Sequence, residues 1–109
     1  MTTPKFSNNA TTTTAVRISD TDASLTVASG TGALFPVLGA GDYFKATLQD
    51  TNNNFEIVKV TARTGDIMTI ERGQDGTLAV PFAANSRFEL RVLASSTQDY
   101  FDSIDFLLL

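Results

Sequence analysis

The sequence predicts an all-β domain, built as a small antiparallel β-barrel or a compact sandwich of about six short strands. Two observations lead to this prediction. Apolar residues recur at every second position through most of the chain, which is the period of a strand with one buried face. Each apolar run is also followed within a few residues by Gly, Asn, Asp or Ser, which favour turns. An extended N-terminal arm and a short C-terminal helix or tail complete the expected architecture.

Composition bounds the size of the protein and argues against several functions. A chain of 109 residues suffices for one domain. Its net charge of −4 argues against nucleic-acid binding, in which cationic side chains replace the counterions of phosphates. Because cysteine and histidine are both absent, there can be no disulfide, no thiolate nucleophile and no histidine general base. Any catalysis would have to rest on carboxylates, lysine or tyrosine. We expect no cofactor, no metal site and no catalytic residue, and the lack of a long apolar run predicts no membrane span.

The chain divides into an arm at residues 1–14, a β-barrel or sandwich domain at residues 15–94 and a tail at residues 95–109. The arm, "MTTPKFSNNATTTT", is polar, and its threonines favour extended backbone because a branched Cβ restricts χ1. Such a segment is flexible when alone, and it can add a strand when it pairs along a neighbour.

The first two strands lie on either side of a "SDTDAS" turn. Val16 and Ile18 alternate with polar residues in the first, and Leu25 and Val27 do so in the second. Residues 28–42 then form a connection, since they hold four of the seven glycines. Four apolar residues in this connection are expected to cover one end of the domain: Leu34, Phe35, Val37 and Leu38.

Apolar and polar residues alternate more clearly in the remaining four strands. One of them, "FEIVKVTAR", is partly apolar on both faces, as expected of a central strand or one that touches a partner. Gly65 supplies a hairpin turn after it, because glycine accepts positive φ. The core faces of these strands are expected to carry Phe44, Ala46, Leu48, Val58, Val60, Ala62, Met68, Ile70, Phe88, Leu90 and Val92.

The segment "RGQDGT", residues 72–77, contains the residue types of a functional loop but lacks the context of one. A phosphate-binding loop needs a following helix, and here Pro81 and a strand follow instead. Glu71 and Asp75 alone are too few ligands for calcium. We therefore interpret the segment as a turn, in which Arg72 pairs with a nearby acid and Asp75 bonds its own backbone. The residues assigned this structural role are Gly65, Arg72, Gly73, Asp75 and Gly76.

The tail, "SSTQDYFDSIDFLLL", breaks the alternation. Its aspartates recur every three residues, as on a solvated helix face, and no histidine or glutamate joins them to form a metal site. The final "FLLL" is costly to expose, so the tail either folds back on the domain or inserts into another subunit. The candidate partner-binding residues of arm and tail are Phe6, Asn8, Asn9, Thr12, Phe101, Ile104, Phe106, Leu107, Leu108 and Leu109.

The segment "SLTVASGTGALFPVLGAGDYFKATLQDTNNNFEIVKVTARTGDIMTIERGQDGTLAVPFAANSRFELRV" resembles a β module of tailed-bacteriophage virion proteins, found near the N-terminus of tail-fibre and tail-associated proteins. The shared features are "SLTVASGTGALFP", "IVKVTAR" and the Arg-Gly-Gln and Gly-Thr of the loop, within residues 6–93. Asn85-Ser86 replaces a glycine that is usual in the module, a change that a turn tolerates. We expect no fibre shaft to follow the module in this chain.

The resemblance implies a virion structural protein, made in the host cytoplasm and present as a homo-oligomer in the particle. We expect a tail, baseplate or fibre-attachment adaptor that contacts other virion proteins, and neither nucleic acid nor membrane. The alternatives are a capsid decoration (cement) protein and a host-surface carbohydrate-binding module that uses residues 52–54. An enzyme is the least expected class.

Overall fold

The computed structural model describes residues 3–5, 7 and 10–90. Within them the chain is all-β, and a six-stranded antiparallel sheet curls into a half-barrel, which confirms the predicted class. A 3₁₀ turn at Thr31–Leu34 is the only helical segment of this part. The strands are β1 at Thr3–Pro4, β2 at Thr11–Thr13, β3 at Ser24–Thr26, β4 at Asp42–Gln49, β5 at Phe55–Thr64, β6 at Ile67–Gln74 and β7 at Arg87–Leu90.

The strands run in the order β2-β7-β4-β5-β6-β3 across the sheet, and β1 pairs in parallel with the beginning of β4. The two outermost strands meet where a single antiparallel bridge joins Thr14 to Val27. Beside it the amide of Ala28 donates to the carbonyl of Thr13 at 2.9 Å. The sheet therefore curves back on itself, and its core lies inside the curve.

The inward faces of β4, β5, β6 and β7 form the core because their apolar residues alternate with the pleat. Phe35, from the loop between β3 and β4, completes it. Its ring stacks on Phe44 at 5.5 Å between centroids and contacts Phe88 at 5.3 Å. The buried core residues are Ala10, Ile18, Leu25, Val27, Phe35, Phe44, Ala46, Leu48, Val58, Val60, Met68, Ile70, Phe82 and Phe88.

The first strand differs from the sequence expectation. The chain bends at residues 15–16, Val16 is 56% exposed, and Ile18 makes only an isolated bridge to Phe82. The strand is instead β2 at Thr11–Thr13, which pairs with β7. These threonines therefore lie in the sheet rather than in a free arm, because β7 offers an edge that their extended backbone can pair with.

Two further expectations need correction. Of the four apolar loop residues, Phe35 is buried and Leu38 packs on the core, whereas Leu34 and Val37 are exposed. Ala62 is also exposed, because a register shift between Val60 and Ala62 breaks the alternation of β5. Val92 and the expected helix or tail at residues 95–109 lie outside the described residues.

β4 is buried on both faces, although the sequence gives it one polar face. Tyr43, Lys45 and Thr47 lie opposite the core residues and are each less than a tenth exposed. Lys59 covers the ring of Tyr43, with its Nζ 4.7 Å from the centroid. Lys45 pairs with Asp75. Charged residues of neighbouring segments thus cover this outer face.

Candidate interaction surface

A buried ion pair between Glu56 and Arg72 joins β5 to β6 at one end of the barrel. Glu56 shares the inward face of β5 with Val58, and its side chain is fully buried. Nε of Arg72 donates to Oε2 of Glu56 at 2.8 Å, and Nη2 donates to Oε1 at 2.9 Å. This two-point geometry suits a guanidinium and a carboxylate, and it fixes both side chains.

The same pair ties three chain segments together. The carboxylate of Glu56 accepts the amides of Gly73 and Val80 at 2.9 and 3.0 Å. The guanidinium of Arg72 donates to the carbonyls of Ser19, Asp22 and Val80. All of these partners are groups of the chain itself. Glu56 and Arg72 therefore hold the loop in place and do not offer a free charge to a ligand.

The rest of the "RGQDGT" segment forms a tight turn. Gly73, Asp75 and Gly76 all take positive φ, at 59°, 54° and 82°. The hydroxyl of Thr77 accepts the amide of Ile57 at 3.0 Å, which attaches the turn to β5. The carboxylate of Asp75 lies 2.9 Å from Nζ of Lys45, a partner that the sequence did not indicate.

The pKa of Glu56 lies below its ordinary value of 4.5. Burial alone raises this pKa, but the hydrogen bonds from Arg72, Gly73 and Val80 favour the charged form more strongly. A carboxylate whose pKa is lower in the folded state stabilises the fold above its unfolded pKa. This stabilisation is lost as the pH falls through the folded pKa.

We therefore expect the difference in free energy of unfolding between the wild type and Glu56→Gln to decrease at acidic pH. Both proteins share the other carboxylates with lowered pKa values, Asp50 and Asp66, so the difference isolates Glu56. Urea unfolding at a series of pH values should show a constant gap near neutrality that narrows below pH 4.5. A gap that stays constant through the acid range would contradict this expectation.

At the opposite end of β5, a rigid loop presents exposed apolar side chains. The carboxylate of Asp66 accepts the amides of Gly30 and Gly32 at 3.0 and 2.9 Å, and these bonds hold its pKa below the usual range. Nε of Arg63 donates to the carbonyl of Pro36 at 3.3 Å. The loop of residues 28–41 is thereby attached to the β5–β6 hairpin, where Gly65 takes a φ of 59°.

We name Leu34, Val37 and Ile67 the end patch. They are 47%, 79% and 51% exposed, respectively. Leu34 and Val37 belong to the loop, and Ile67 follows the hairpin turn on which the loop rests. Large apolar side chains on a clamped backbone are typical of protein contact sites, because ordering them on binding costs little.

Gly32 makes this attachment possible because no side chain fits at its position. A Cβ there would lie 2.0 Å from the carbonyl oxygen of Gly65. We expect Gly32→Ala to lower the free energy of unfolding by about 1–3 kcal/mol, because the hairpin and loop must separate. Gly39→Ala is the matched control, since its Cβ would meet only the side chain of Asp42 at 3.3 Å. Urea unfolding would measure both, and equal losses would contradict the close-approach argument.

The N-terminal segment pairs with the edge of β4 through few contacts. The amide of Thr3 donates to Gly41 at 2.9 Å, and that of Lys5 donates to Tyr43 at 2.8 Å. Pro4 lies between them, where its missing N–H costs nothing because that position faces away from β4. In the described part of the chain, only Thr3 and Pro4 of this segment are in register with β4, which is a short pairing for a strand. This segment is therefore suited to exchange between copies.

Among the predicted partner-binding residues, only Thr12 lies within the described part of the chain. It sits in β2 opposite Phe88, and its hydroxyl donates to that of Thr31 at 2.8 Å. The others lie outside the described residues: Phe6, Asn8, Asn9, Phe101, Ile104, Phe106, Leu107, Leu108 and Leu109. The structure thus exposes Leu34 and Val37, which the sequence predicted to cover one end of the domain, and it adds Ile67, to which the sequence assigned no role.

Residues 3–5, 7 and 10–90 hold no cluster of three or more acidic side chains placed to bind a metal ion. The same residues include no helix with the length and hydrophobicity of a membrane span. No protein-family model matches the chain, and no curated protein sequence is significantly similar to it.

Proposed function

We propose that this chain is a structural component of a tailed-bacteriophage virion, acting as a small tail, baseplate or fibre-attachment adaptor. It acts by symmetric protein–protein contacts and not by catalysis. It is made in the host cytoplasm and becomes part of the particle as a homo-oligomer in contact with other virion proteins. The resemblance of residues 6–93 to the phage β module supports the class of protein.

The end patch is the observation that carries the proposal of a contact role. Burying one large apolar side chain against a partner is worth about 1.5–3 kcal/mol. Asp66 and Arg63 already hold the loop, so binding does not have to offset the entropy cost of ordering its backbone. The weakly attached N-terminal segment adds a second means of contact, since it can pair with the β4 edge of a neighbouring copy.

The test replaces the phage gene with a variant and measures how much protein enters the particle. We expect Val37→Asp to lower incorporation strongly, because a charge in a buried apolar contact is left unpaired. Leu78→Asp is the matched control, since Leu78 is also 79% exposed but lies on another loop. Thermal unfolding of both purified variants verifies that they fold.

Quantitative immunoblotting of purified particles gives the readout, and antibody labelling in electron microscopy gives the location. Label at the tail or baseplate supports the adaptor role. Label on the head would replace it with the capsid decoration role. Absence of the protein from purified particles overturns the proposal. Equal incorporation of Val37→Asp and Leu78→Asp would show that the end patch is not the contact surface.

A further inference from the structure

A row of four outward side chains crosses the end of the barrel opposite the end patch. Strand register places Thr13 opposite Arg87, Arg87 opposite Gln49, and Gln49 opposite Phe55. Directly paired residues share a face of the sheet, so the row runs over β2, β7, β4 and β5. At strand spacings of about 4.8 Å it is roughly 14 Å long.

Three members of this row line a groove of about 530 Å³ between the β4–β5 turn and the segment that precedes β7. Asn53 and Asn85, one on each wall, also line it. We name Thr13, Gln49, Asn53, Asn85 and Arg87 the polar groove. Phe55, beside Gln49 in the row, is 57% exposed and offers an accessible aromatic ring.

Hydrogen bonds fix both walls of the groove. The carboxylate of Asp50 accepts the amides of Asn52 and Asn54, both at 2.9 Å. On the other wall, the hydroxyl of Ser86 donates to the carbonyl of Ala83 at 2.8 Å. Asn53 and Asn85, with φ of 64° and 67°, are held in left-handed conformations, which asparagine tolerates better than most residues. The site is therefore preformed, which lowers the cost of binding.

The groove side chains are available to a ligand. Within the described part of the chain, the side chains of Gln49, Asn53, Asn85 and Arg87 make no hydrogen bond. Side-chain amides donate and accept together, and Arg87 adds further donors. Such groups match adjacent hydroxyls, while the exposed ring of Phe55 matches an apolar C–H face. A polyhydroxylated ring compound offers both.

We propose that the polar groove binds a short oligosaccharide. An added peptide strand is disfavoured, because the backbones of Gln49 and Arg87 already pair with each other within the sheet. A nucleic-acid strand is disfavoured by the net charge of −4 and by Asp50 in the wall of the groove. This inference is independent of the virion role, since the groove and the end patch lie at opposite ends of β5.

The test is a nuclear magnetic resonance titration of the full chain with three trisaccharides: maltotriose, tri-N-acetylchitotriose and trigalacturonic acid. We expect at least one to shift the amide signals of Gln49, Asn53, Asn85 and Arg87 at millimolar concentration, while the signals of the end patch stay unchanged. No groove shift with any of the three overturns the proposal.

Three variants make the result specific. We expect Phe55→Ala and Gln49→Ala each to weaken the binding of the active trisaccharide about tenfold, because each loses one recognition element. Leu78→Ala, an exposed apolar residue outside the groove, should bind as the wild type does. Equal affinity in all three variants overturns the site. A synthetic peptide of residues 1–9 is titrated as a second probe. If this peptide shifts the groove signals and none of the sugars does, the ligand of the groove is a peptide and the saccharide proposal is overturned.

Discussion

Glu56→Ala is expected to lower the free energy of unfolding by about 3–5 kcal/mol, because it leaves a buried guanidinium without its partner. The Arg72 side chain is only 11% exposed, so water cannot replace the lost carboxylate. The amides of Gly73 and Val80 lose their acceptor as well. Urea unfolding of the purified chain at neutral pH measures the loss.

Glu71→Ala is the control for this variant, since Glu71 is exposed on β6 next to Arg72. It should change stability by no more than about 0.5 kcal/mol. The double variant Glu56→Leu with Arg72→Met should recover part of the loss, because an apolar pair removes the unpaired charge. Recovery should be incomplete, since Arg72 also bonds the carbonyls of Ser19 and Asp22. Similar losses for Glu56→Ala and Glu71→Ala would contradict a stabilising role for the pair.

Much of the sheet could be predicted from the sequence because its signals are local. The alternation of Phe44, Ala46 and Leu48 defines the inward face of β4 without knowledge of any partner strand. The hairpin turn at Gly65 follows from the backbone freedom of glycine between two such runs. These features depend on neighbouring residues only, so a pattern over a few positions suffices to identify them.

The features that were missed depend on contacts between distant residues. β2 forms because Thr12 meets Phe88, and no pattern within the N-terminal segment indicates that pairing. The end patch is exposed because the loop is fixed by Asp66, so apolar character alone gave the wrong location for Leu34 and Val37. Apolar residues of a short connection can serve either the core or a contact surface, and only the geometry of the loop distinguishes the two.

The buried ion pair did leave a signal in the sequence. Glu56 precedes Val58 and Val60 at the period of a strand, which places a carboxylate on the core face. A charge in that position requires a buried partner, and the alternation of Met68 and Ile70 places Arg72 on the core face of β6. Two charges on two core faces would have predicted the pair, although not the carbonyls that complete it.

Phe35→Ala is expected to cost about 3–5 kcal/mol of unfolding free energy, because it removes a buried ring from the core. The ring contacts both Phe44 and Phe88, and it is the buried aromatic anchor of the loop that carries the end patch. Val37→Ala, in the same loop but 79% exposed, should change stability by no more than about 0.5 kcal/mol. Urea unfolding of the two variants tests this difference.

A second measurement on Phe35→Ala separates a cavity from a detached loop. If the loop stays in place, the full cost appears in the global free energy and the amide of Gly32 keeps its protection from hydrogen exchange, because its bond to Asp66 survives. If the loop detaches, the global cost is smaller and Gly32 exchanges rapidly. Detachment would also abolish the rigid end patch, so Phe35→Ala should then weaken incorporation into particles as Val37→Asp does. Unchanged stability together with unchanged exchange would show that Phe35 does not anchor the loop.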